Sequence, residues 1–221
     1  MVELNDFKVK AVPETCFYVP EFITEAEEKL LIHNIEKTSS VRWTQLKNRR
    51  LINCGGVPTQ KGMIAEDIPA YLQTYLDKVN NLGIFGESKA NHILLNEYRA
   101  GQGIMSHFDG PLFFPTISTI SVGSHTVLEF HLPRSDNDEL VTHSEPSFKL
   151  LVQPRSLLIL KDDLYHRYKH SISEIEEDDL SDPLIKNLPP SQHEKARRGT
   201  RFSLTIRNVP KTSKLKLKFG K

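Results

Sequence analysis

Two residues with metal-binding side chains, His107 and Asp109, stand one residue apart in the stretch GIMSHFDGP, residues 103–111. On a strand or at its end, residues two positions apart project to the same face, so an imidazole nitrogen and a carboxylate oxygen can reach one point. This pair suits a divalent metal, and a second histidine would complete a site of two histidines and one carboxylate. Taken alone, the pair is more typical of two hydrogen-bonded polar residues near a turn.

A third ligand could come from the stretch LYHRYKHSI, which contains both His166 and His170. This stretch follows the apolar run SLLIL and a turn, and therefore lies near the end of a predicted strand. The chain contains nine histidines, so nearness to a strand does not decide between the two candidates. At this point both remain open.

The stretch RFSLTIR, residues 201–207, alternates polar and apolar residues as a strand does. Its polar face carries Arg201, Ser203, Thr205 and Arg207. Two arginines on the inward face of a strand are costly to bury unless an anion meets them. The stretch therefore predicts either an anion site or, if the strand stands alone, an exposed face with ordinary surface charge.

In combination, these residues resemble the AlkB-type iron(II) and 2-oxoglutarate-dependent dioxygenases. That family has, in order, an N-x-Y element, H-x-D, a later His and R-x5-R. This chain has NEY, HFD, KHSI and RFSLTIR in the same order. The resemblance covers roughly residues 40–210, and the wording of ANHILLNEY, STISVGSHTVL and RGTRFSLTIR is most similar to the eukaryotic branch called AlkB homologue six.

The resemblance implies an Fe(II) site formed by His107, Asp109 and His170, with His166 only a neighbour. Three protein ligands leave three positions on the metal, two for the 2-oxo acid and one for oxygen. The implied reaction oxidises, and so demethylates, a modified base in nucleic acid. Succinate and carbon dioxide are released, together with formaldehyde where an N-methyl group is removed.

The resemblance also implies where 2-oxoglutarate binds. Tyr98 and Arg201 would hold its far carboxylate, with Ser203 beside them, and Asn96 and Arg207 would lie near its metal-chelating end. An arginine and a phenolic hydroxyl together form a charge-assisted, geometrically fixed anchor for a small dicarboxylate. We therefore expect Fe(II) as cofactor and 2-oxoglutarate as co-substrate.

The substrate is implied less directly than the cofactors. Repair members of the family tend to carry an acidic residue two positions after the iron aspartate, where it helps to recognise the damaged base. This chain has Pro111 there, which argues against base recognition of the usual repair type. DNA or RNA, single-stranded or with a flipped base, is the expected partner. Two alternatives are a nucleic-acid-binding or scaffold protein with the oxygenase fold and little turnover, and an oxygenase that acts on a protein.

Composition is consistent with one soluble domain. The 221 residues are enough for one substantial core, and 29 Lys and Arg nearly cancel 28 Asp and Glu, so no global charge commits the protein to nucleic acid or membrane. Two cysteines are too few for a disulfide framework, and no run approaches the length of a transmembrane helix. We expect a monomer in the cytoplasm and nucleus.

Helical patterns occur only in the first part of the chain. Thr24 and Glu27 have capping-box spacing, and Leu30, Leu31 and Ile35 then fall on one predicted helical face. A second helix is predicted within DIPAYLQTYLDKVNNLG, with Gly83 just past its end. Both are expected to support a sheet.

From residue 91 onward, brief β-rich runs separated by turn residues predict an antiparallel sandwich or barrel. With the resemblance, the expected fold is α+β and mainly β, a double-stranded β-helix (jelly roll) core with supporting N-terminal helices. We expect a single domain over 1–221, with a helical extension and substrate lid over 1–90 and the core over 91–210. The lid corresponds to 49–58. Gly123 and Ser124 predict a hairpin turn, and the Pro-containing segment 173–199 predicts a long loop or partly disordered insertion.

Three basic segments could contact nucleic acid. The first two could equally be ordinary solvated surface, and the third predicts an amphipathic edge strand first and a phosphate-contacting arm second. The first flanks Trp43, the second lies in the insertion and the third is the tail 211–221. Their basic residues are, in turn, Arg42, Lys47, Arg49 and Arg50; Lys195, Arg197 and Arg198; and Lys214, Lys216 and Lys218. His125, His131 and His143 match no motif and are expected to be packing or surface residues.

Overall fold

The computed structural model describes residues 3–133, 145–188 and 194–213, in which strands contain more residues than helices. The helices are α1 (Glu25–Glu36), α2 (Ala70–Asn80) and α3 (Asp163–His166). The strands are β1 (Cys16–Val19), β2 (Thr44–Leu46), β3 (Arg49–Cys54), β4 (Met63–Ile64), β5 (His92–Tyr98), β6 (Ile104–His107), β7 (Thr116–Val122), β8 (Thr126–His131), β9 (Phe148–Val152), β10 (Leu157–Lys161), β11 (Lys169–Ile172), β12 (Glu177–Asp179), β13 (Lys195–Arg197), β14 (Arg201–Arg207) and β15 (Thr212–Ser213).

Two antiparallel sheets form the jelly roll. The large sheet has seven strands in the order β1-β10-β7-β14-β5-β3-β2, and the small sheet has four in the order β6-β11-β8-β9. Every β-rich run predicted beyond residue 91 forms a strand. In some, such as RFSLTIR of β14, polar and apolar residues alternate, and in others, such as LLILK of β10, a short apolar run is buried. The predicted fold class, mainly β with a jelly-roll core and few helices, is confirmed.

The N-terminal segment contributes more than the predicted helices. Strand β1 pairs with β10, and β3 lies between β5 and β2 in the large sheet. The expected boundary at residue 90 therefore does not separate an extension from the core. Residues 49–54 are likewise not a separate lid but strand β3, in which Ile52 and Cys54 point into the core.

The turn at Gly123 connects the two sheets. Strand β7 pairs with β10 and β14 in the large sheet, whereas β8 pairs with β11 and β9 in the small one. The predicted hairpin is therefore wrong, since β7 and β8 do not pair with each other. Gly123 has a φ of 86°, which a residue with a Cβ rarely adopts, and this lets the backbone turn sharply out of one sheet and into the other.

Helices α1 and α2 cover the outer face of the large sheet. The Thr24 hydroxyl accepts from the Glu27 amide and the Glu27 carboxylate accepts from the Thr24 amide, which is the predicted capping box. Leu31 and Ile35 are buried as expected, but Leu30 is 61% exposed because it lies off that face by one residue. Helix α2 buries Leu72, Tyr75, Leu76 and Val79 against the same core.

The segment expected as a loop over 173–199 has regular structure in its described parts. Strand β12 pairs with β13, and Ile185 packs against Val127 and Leu151. Arg198 donates two hydrogen bonds to Asp178, at 2.7 and 2.6 Å, and a third to the carbonyl of Ser173. The prediction of an irregular insertion is wrong for these residues, since a buried ion pair and a short ladder stabilise them.

This ion pair predicts a stability difference that depends on pH. Burial alone would raise the pKa of Asp178, but the hydrogen bonds from Arg198 and the nearby ring of His125 hold it below its ordinary value. A lowered folded-state pKa means that the stabilisation is present above the unfolded value of about 3.9 and is lost as the pH falls through the folded value. Asp178→Asn should lower the free energy of unfolding by about 3 kcal/mol at neutral pH, because Arg198 is left buried without a counter-ion.

Denaturant unfolding of both proteins between about pH 2 and pH 7 measures this difference. The difference should shrink as the pH falls below the unfolded value of about 3.9, where the unfolded chain is protonated first, and should disappear once Asp178 is also protonated in the folded wild type. The control is Glu177→Gln, because Glu177 pairs with the exposed Lys195 and should be worth less than about 1 kcal/mol. Equal effects of the two variants would contradict the prediction.

Two further observations complete the fold. Among the described residues, no helix has both the length and the apolar character needed to cross a membrane. The basic residues of the tail from Lys214 onward, together with His143, lie outside the described residues, so their predicted roles stay predictions.

Candidate active site

A cavity of about 220 Å³ lies between the two sheets. Period-two alternation places the polar residues of β14 on this cavity, while the apolar residues between them pack under the helices. The cavity wall contains every residue that the resemblance implied for iron or 2-oxoglutarate. These are Asn96, Tyr98, His107, Asp109, His170, Arg201, Ser203 and Arg207.

Pairing of β6 with β11 places His107 directly opposite His170. Their ring centroids are 4.5 Å apart, and the His170 Nε2 lies 3.7 Å from an Asp109 carboxylate oxygen. The Nδ1 of His107 lies 2.9 Å from the carbonyl oxygen of Met105, so this ring nitrogen is occupied and the Nε2 remains for another contact. Two imidazoles and one carboxylate thus share one end of the cavity.

The turn after β6 holds Asp109 in place. Gly110 has a φ of 94°, a backbone conformation that favours glycine. The hydroxyl of Tyr165, in α3, donates to the carbonyl oxygens of Gly110 and Phe113 and so ties the turn to the end of β10. Pro111, at the centre of this turn, is exposed.

Electrostatics at this end of the cavity favour cation binding by neutral imidazole. Burial, with a contribution from His107, lowers the pKa of His170 to about 4, so its ring keeps a free lone pair near neutral pH. Asp109 is shared between His170 and Arg207. One of its carboxylate oxygens faces His170, and the other accepts a hydrogen bond from Arg207 at 3.1 Å. Within the described chain, no three His, Cys, Asp or Glu side chains meet the geometry of a ready-made metal cage.

Arg207 is buried in contact with several groups. Its guanidinium lies 3.9 Å from the ring centroid of Phe113, pairs with Asp109 and approaches Nδ1 of His92 at 3.5 Å. His92 also contacts Asn53 through its other nitrogen, and burial next to Arg207 lowers its pKa to about 3. A neutral His92 can accept from Arg207, which fixes the guanidinium beside the carboxylate.

Arg201 has no such counter-ion. It is only 5% exposed, donates to the Ser121 hydroxyl at 2.8 Å and lies 5.7 Å from the ring centroid of Tyr98. Among the described residues it pairs with no carboxylate, and its Nε has no hydrogen-bond partner. Burial lowers its pKa to about 10. A buried cation with an unused donor at the wall of a cavity is suited to an anionic ligand.

The remaining predicted contacts come from strand pairing. Arg201 is opposite Tyr98 and Ser203 is opposite Asn96 across the β14–β5 ladder, so all four reach the same face. Burial raises the pKa of Tyr98, which keeps its hydroxyl protonated and able to donate. The anion-binding part of the cavity is therefore built by two adjacent strands.

Residues at some other predicted positions lie outside the cavity. His166 is exposed on α3 and packs edge-on against Tyr165. His131 is buried and contacts the Ser171 hydroxyl, and His125 contacts Asp178. Cys54, expected in an exposed lid, is buried, and burial raises its thiol pKa to about 11.

The basic segments are less available than the sequence indicated. Arg50 lies 4.2 Å from the ring centroid of Trp43 and pairs with Glu97, so it covers one face of the indole. Trp43 also packs partly against the core, and Arg198 is buried with Asp178. The exposed basic side chains that remain in the first two segments are Arg42, Lys47, Lys195 and Arg197.

Four residues that contribute to the site are outside the predicted iron and 2-oxoglutarate contacts: Arg49, which was expected only in the lid and in a basic segment, His92, Phe113 and Ser121. The positions of two of them, His92 and Arg49, could have been predicted from alternation along a strand. His92 falls in the same period-two series as Asn96 and Tyr98 on β5. Arg49 occupies the corresponding face of β3, where its Nε donates to the Asn96 side chain at 3.3 Å. Phe113 and Ser121 contact the arginines from other elements, and no local pattern identifies them.

Comparisons with known proteins identify the family of this chain. The family model described as the 2OG-Fe(II) oxygenase superfamily matches residues 19–207. The "Probable RNA/DNA demethylase ALKBH6" of Danio rerio is 45% identical over 226 residues, which cover 100% of this chain and 97% of that protein.

Solved structures share the fold at low sequence identity. OsALKBH1 aligns with a TM-score of 0.55 and 12% identity over 90% of this chain and 99% of that one. A prolyl-4-hydroxylase of Pseudomonas putida aligns with a TM-score of 0.53 and 12% identity over 88% and 92% of the two chains.

The family matched over most of the chain uses Fe(II) as cofactor and 2-oxoglutarate as co-substrate. The cavity fits both groups, since two imidazoles and a carboxylate suit Fe(II) and the unpaired Arg201 suits a dicarboxylate. The chain belongs to the 2OG-Fe(II) oxygenase superfamily and, within it, to the AlkB-type dioxygenases of the AlkB homologue six branch.

Proposed function

We propose that this dioxygenase removes a methyl group from a modified base in nucleic acid, with His107, Asp109 and His170 as the ligands of Fe(II). The observation that carries the proposal is the convergence of these three side chains at one end of a cavity that also contains an arginine without a counter-ion. Bound iron supplies the oxidation of a C–H bond by molecular oxygen, with 2-oxoglutarate as the second reductant.

The protein side chains bind and orient the co-substrate. Arg201 and the hydroxyl of Tyr98 hold the far carboxylate of 2-oxoglutarate, and Ser203 lies beside it on the same face of β14. Asn96 and Arg207 lie near the end that chelates the metal. The apolar part of the cavity wall, from Leu128, Leu158 and Leu160 among others, excludes water from the reacting groups.

A nucleic-acid substrate is supported by the relative from Danio rerio, whose name describes an RNA/DNA demethylase. The alignment with that protein covers 100% of this chain and 97% of the relative. The exposed Arg42 and Lys47 lie next to β2, and arginine and lysine side chains of this kind neutralise phosphates. Oxidation of the N-methyl group gives a hydroxymethyl product that releases formaldehyde.

The test measures succinate and formaldehyde by mass spectrometry with Fe(II), 2-oxoglutarate and a panel of methylated DNA, RNA and peptides. We expect both products in equal amounts with at least one methylated oligonucleotide and none without Fe(II). Oxidised peptide with unchanged nucleosides would overturn the nucleic-acid assignment. Binding of oligonucleotides equally by the wild type and a metal-ligand variant, without product from any substrate, would instead indicate a scaffold.

A further inference from the structure

One charged side chain of the cavity wall, Arg49, is not among the residues assigned above to iron or 2-oxoglutarate. Arg49 opens β3 and is only half-buried, whereas Arg201 and Arg207 are 5% and 6% exposed. It therefore lies nearer the solvent than the two arginines of β14. Its place on the cavity wall makes it available to a second ligand.

Local structure holds Arg49 in this position. The tip of the β2–β3 hairpin is tied to the segment after β11 by a hydrogen bond from Asn48 to the Glu174 carboxylate. The Arg49 Nε then donates to the Asn96 side chain at 3.3 Å, one strand away. The next residue, Arg50, points to the opposite face and is paired with Glu97. Only one of these two adjacent arginines can act on a bound substrate.

The charges around the cavity determine what kind of group it accepts. Asp109 is the only carboxylate on the wall that the described residues form, and it is shared between Arg207 and His170. Arg49 has no carboxylate partner within the same described residues. Pro111, beside Asp109 in sequence, brings no charge of its own. A cationic base beside Arg49 would meet an unpaired guanidinium and no free carboxylate, so like-charge repulsion disfavours it there.

This charge distribution discriminates between two chemical classes of alkylated base. Alkylation of a ring nitrogen that normally accepts a hydrogen bond makes the base cationic and removes that acceptor. Alkylation of an exocyclic amine leaves the base neutral and keeps the ring acceptor. A guanidinium can donate to the second kind of base but not to the same position of the first.

We propose that Arg49 reads the substrate by donating a hydrogen bond to a ring acceptor of the modified base, so that this enzyme favours neutral, exocyclically alkylated bases over cationic ones. The inference rests on the proposed function, because it requires a nucleobase in the cavity. It assigns to Arg49 a specificity role and leaves iron and 2-oxoglutarate binding to the other residues.

Two isomeric probes isolate the effect of charge. Single-stranded oligonucleotides with one N6-methyladenine or one 1-methyladenine have the same atoms, and only the second is cationic near neutral pH. For the wild type we expect a higher kcat/KM, measured as formaldehyde release, with the neutral isomer. Arg49→Gln should lower that kcat/KM by about tenfold to a hundredfold, because a charge-assisted hydrogen bond is lost.

Further variants separate substrate reading from structural effects. Arg49→Glu should reverse the preference in favour of the cationic isomer, and Arg49→Lys should retain most of the wild-type preference. The Kd of 2-oxoglutarate, measured anaerobically with Fe(II), should change by less than about threefold in all three. The control is Arg99→Gln, which removes the same charge from a side chain that is 70% exposed, and it should leave the ratio of the two isomers unchanged.

The outcomes distinguish this inference from the function on which it rests. If oligonucleotides turn over but the wild type prefers the cationic isomer, or if Arg49→Gln leaves the ratio unchanged, the inference fails and the proposed function stands. If Fe(II) and 2-oxoglutarate bind but no methylated oligonucleotide of any kind turns over, the proposed function fails and the inference fails with it.

Discussion

Replacing His170 with alanine should reduce iron-dependent succinate release by more than about a hundredfold, because even groups that only orient metal ligands contribute 10- to 100-fold. His170 lies opposite His107 and 3.7 Å from the Asp109 carboxylate, and its burial keeps the ring neutral. Alanine removes one of the two imidazoles and leaves Fe(II) with too few protein ligands. Metal affinity and turnover should therefore fall together.

His166→Ala is the matched control for this prediction. The two histidines are four residues apart and were both open on spacing alone, yet His166 is exposed and lies off the cavity. Its removal should change turnover by less than about twofold, as expected for a surface substitution. Anaerobic Fe(II) binding, succinate release and thermal unfolding of the two variants form the test. Comparable losses of turnover in both variants, with both proteins folded, would show that the metal site has been assigned wrongly.

The part of this site that the sequence could predict is the part carried by two strands. Alternation along residues 92–98 and 201–207 puts one set of side chains on the cavity and the other in the core. The motif order then predicts which of these polar residues bind Fe(II) and 2-oxoglutarate, and the family match extends over residues 19–207. A period of two is visible in neighbouring residues alone, so the face of the strand on which each side chain lies can be predicted without the tertiary structure.

The features that the sequence could not predict depend on partners far along the chain. Gly123 marks a turn, but whether the next strand pairs with β7 or enters the other sheet is decided by β11 and β9. Arg198 has the appearance of a free basic residue until Asp178, twenty positions away, is placed beside it. Arg49 and Arg50 are equivalent in sequence, and only the pairing of Arg50 with Glu97 shows which of them is available.

The second large effect is expected at Arg201, for which Arg207 provides an internal comparison. Arg207 is paired with Asp109, whereas Arg201 pairs with no carboxylate in the described part of the chain. Removing one member of a buried ion pair typically costs about 3 to 5 kcal/mol, but removing a buried charge that lacks a counter-ion relieves a desolvation penalty. Without ligand, Arg207→Met should therefore be destabilised by about 3 kcal/mol, while Arg201→Met should be as stable as the wild type or more so.

Binding of 2-oxoglutarate should reverse the stability difference between Arg201→Met and the wild type. At about a hundred times its Kd, 2-oxoglutarate should stabilise the wild-type protein with Fe(II) by about 2.7 kcal/mol. Arg201→Met should lose most of this stabilisation, because its Kd for 2-oxoglutarate should rise by about thirtyfold or more. Anaerobic thermal unfolding with and without 2-oxoglutarate measures both quantities in one experiment.

These two measurements test the role of Arg201, because a structural role and an anion-binding role predict opposite effects of its replacement on stability. An arginine that only supported the fold would cost stability in the free protein when replaced, and 2-oxoglutarate would still stabilise the variant. Replacing an arginine that binds an anion should not cost stability in the free protein, and 2-oxoglutarate should then stabilise the variant much less. The reason is that the buried charge and the free Nε are favourable only when the dicarboxylate is present. A loss of stability in ligand-free Arg201→Met equal to that in Arg207→Met would remove the physical basis for placing 2-oxoglutarate at Arg201.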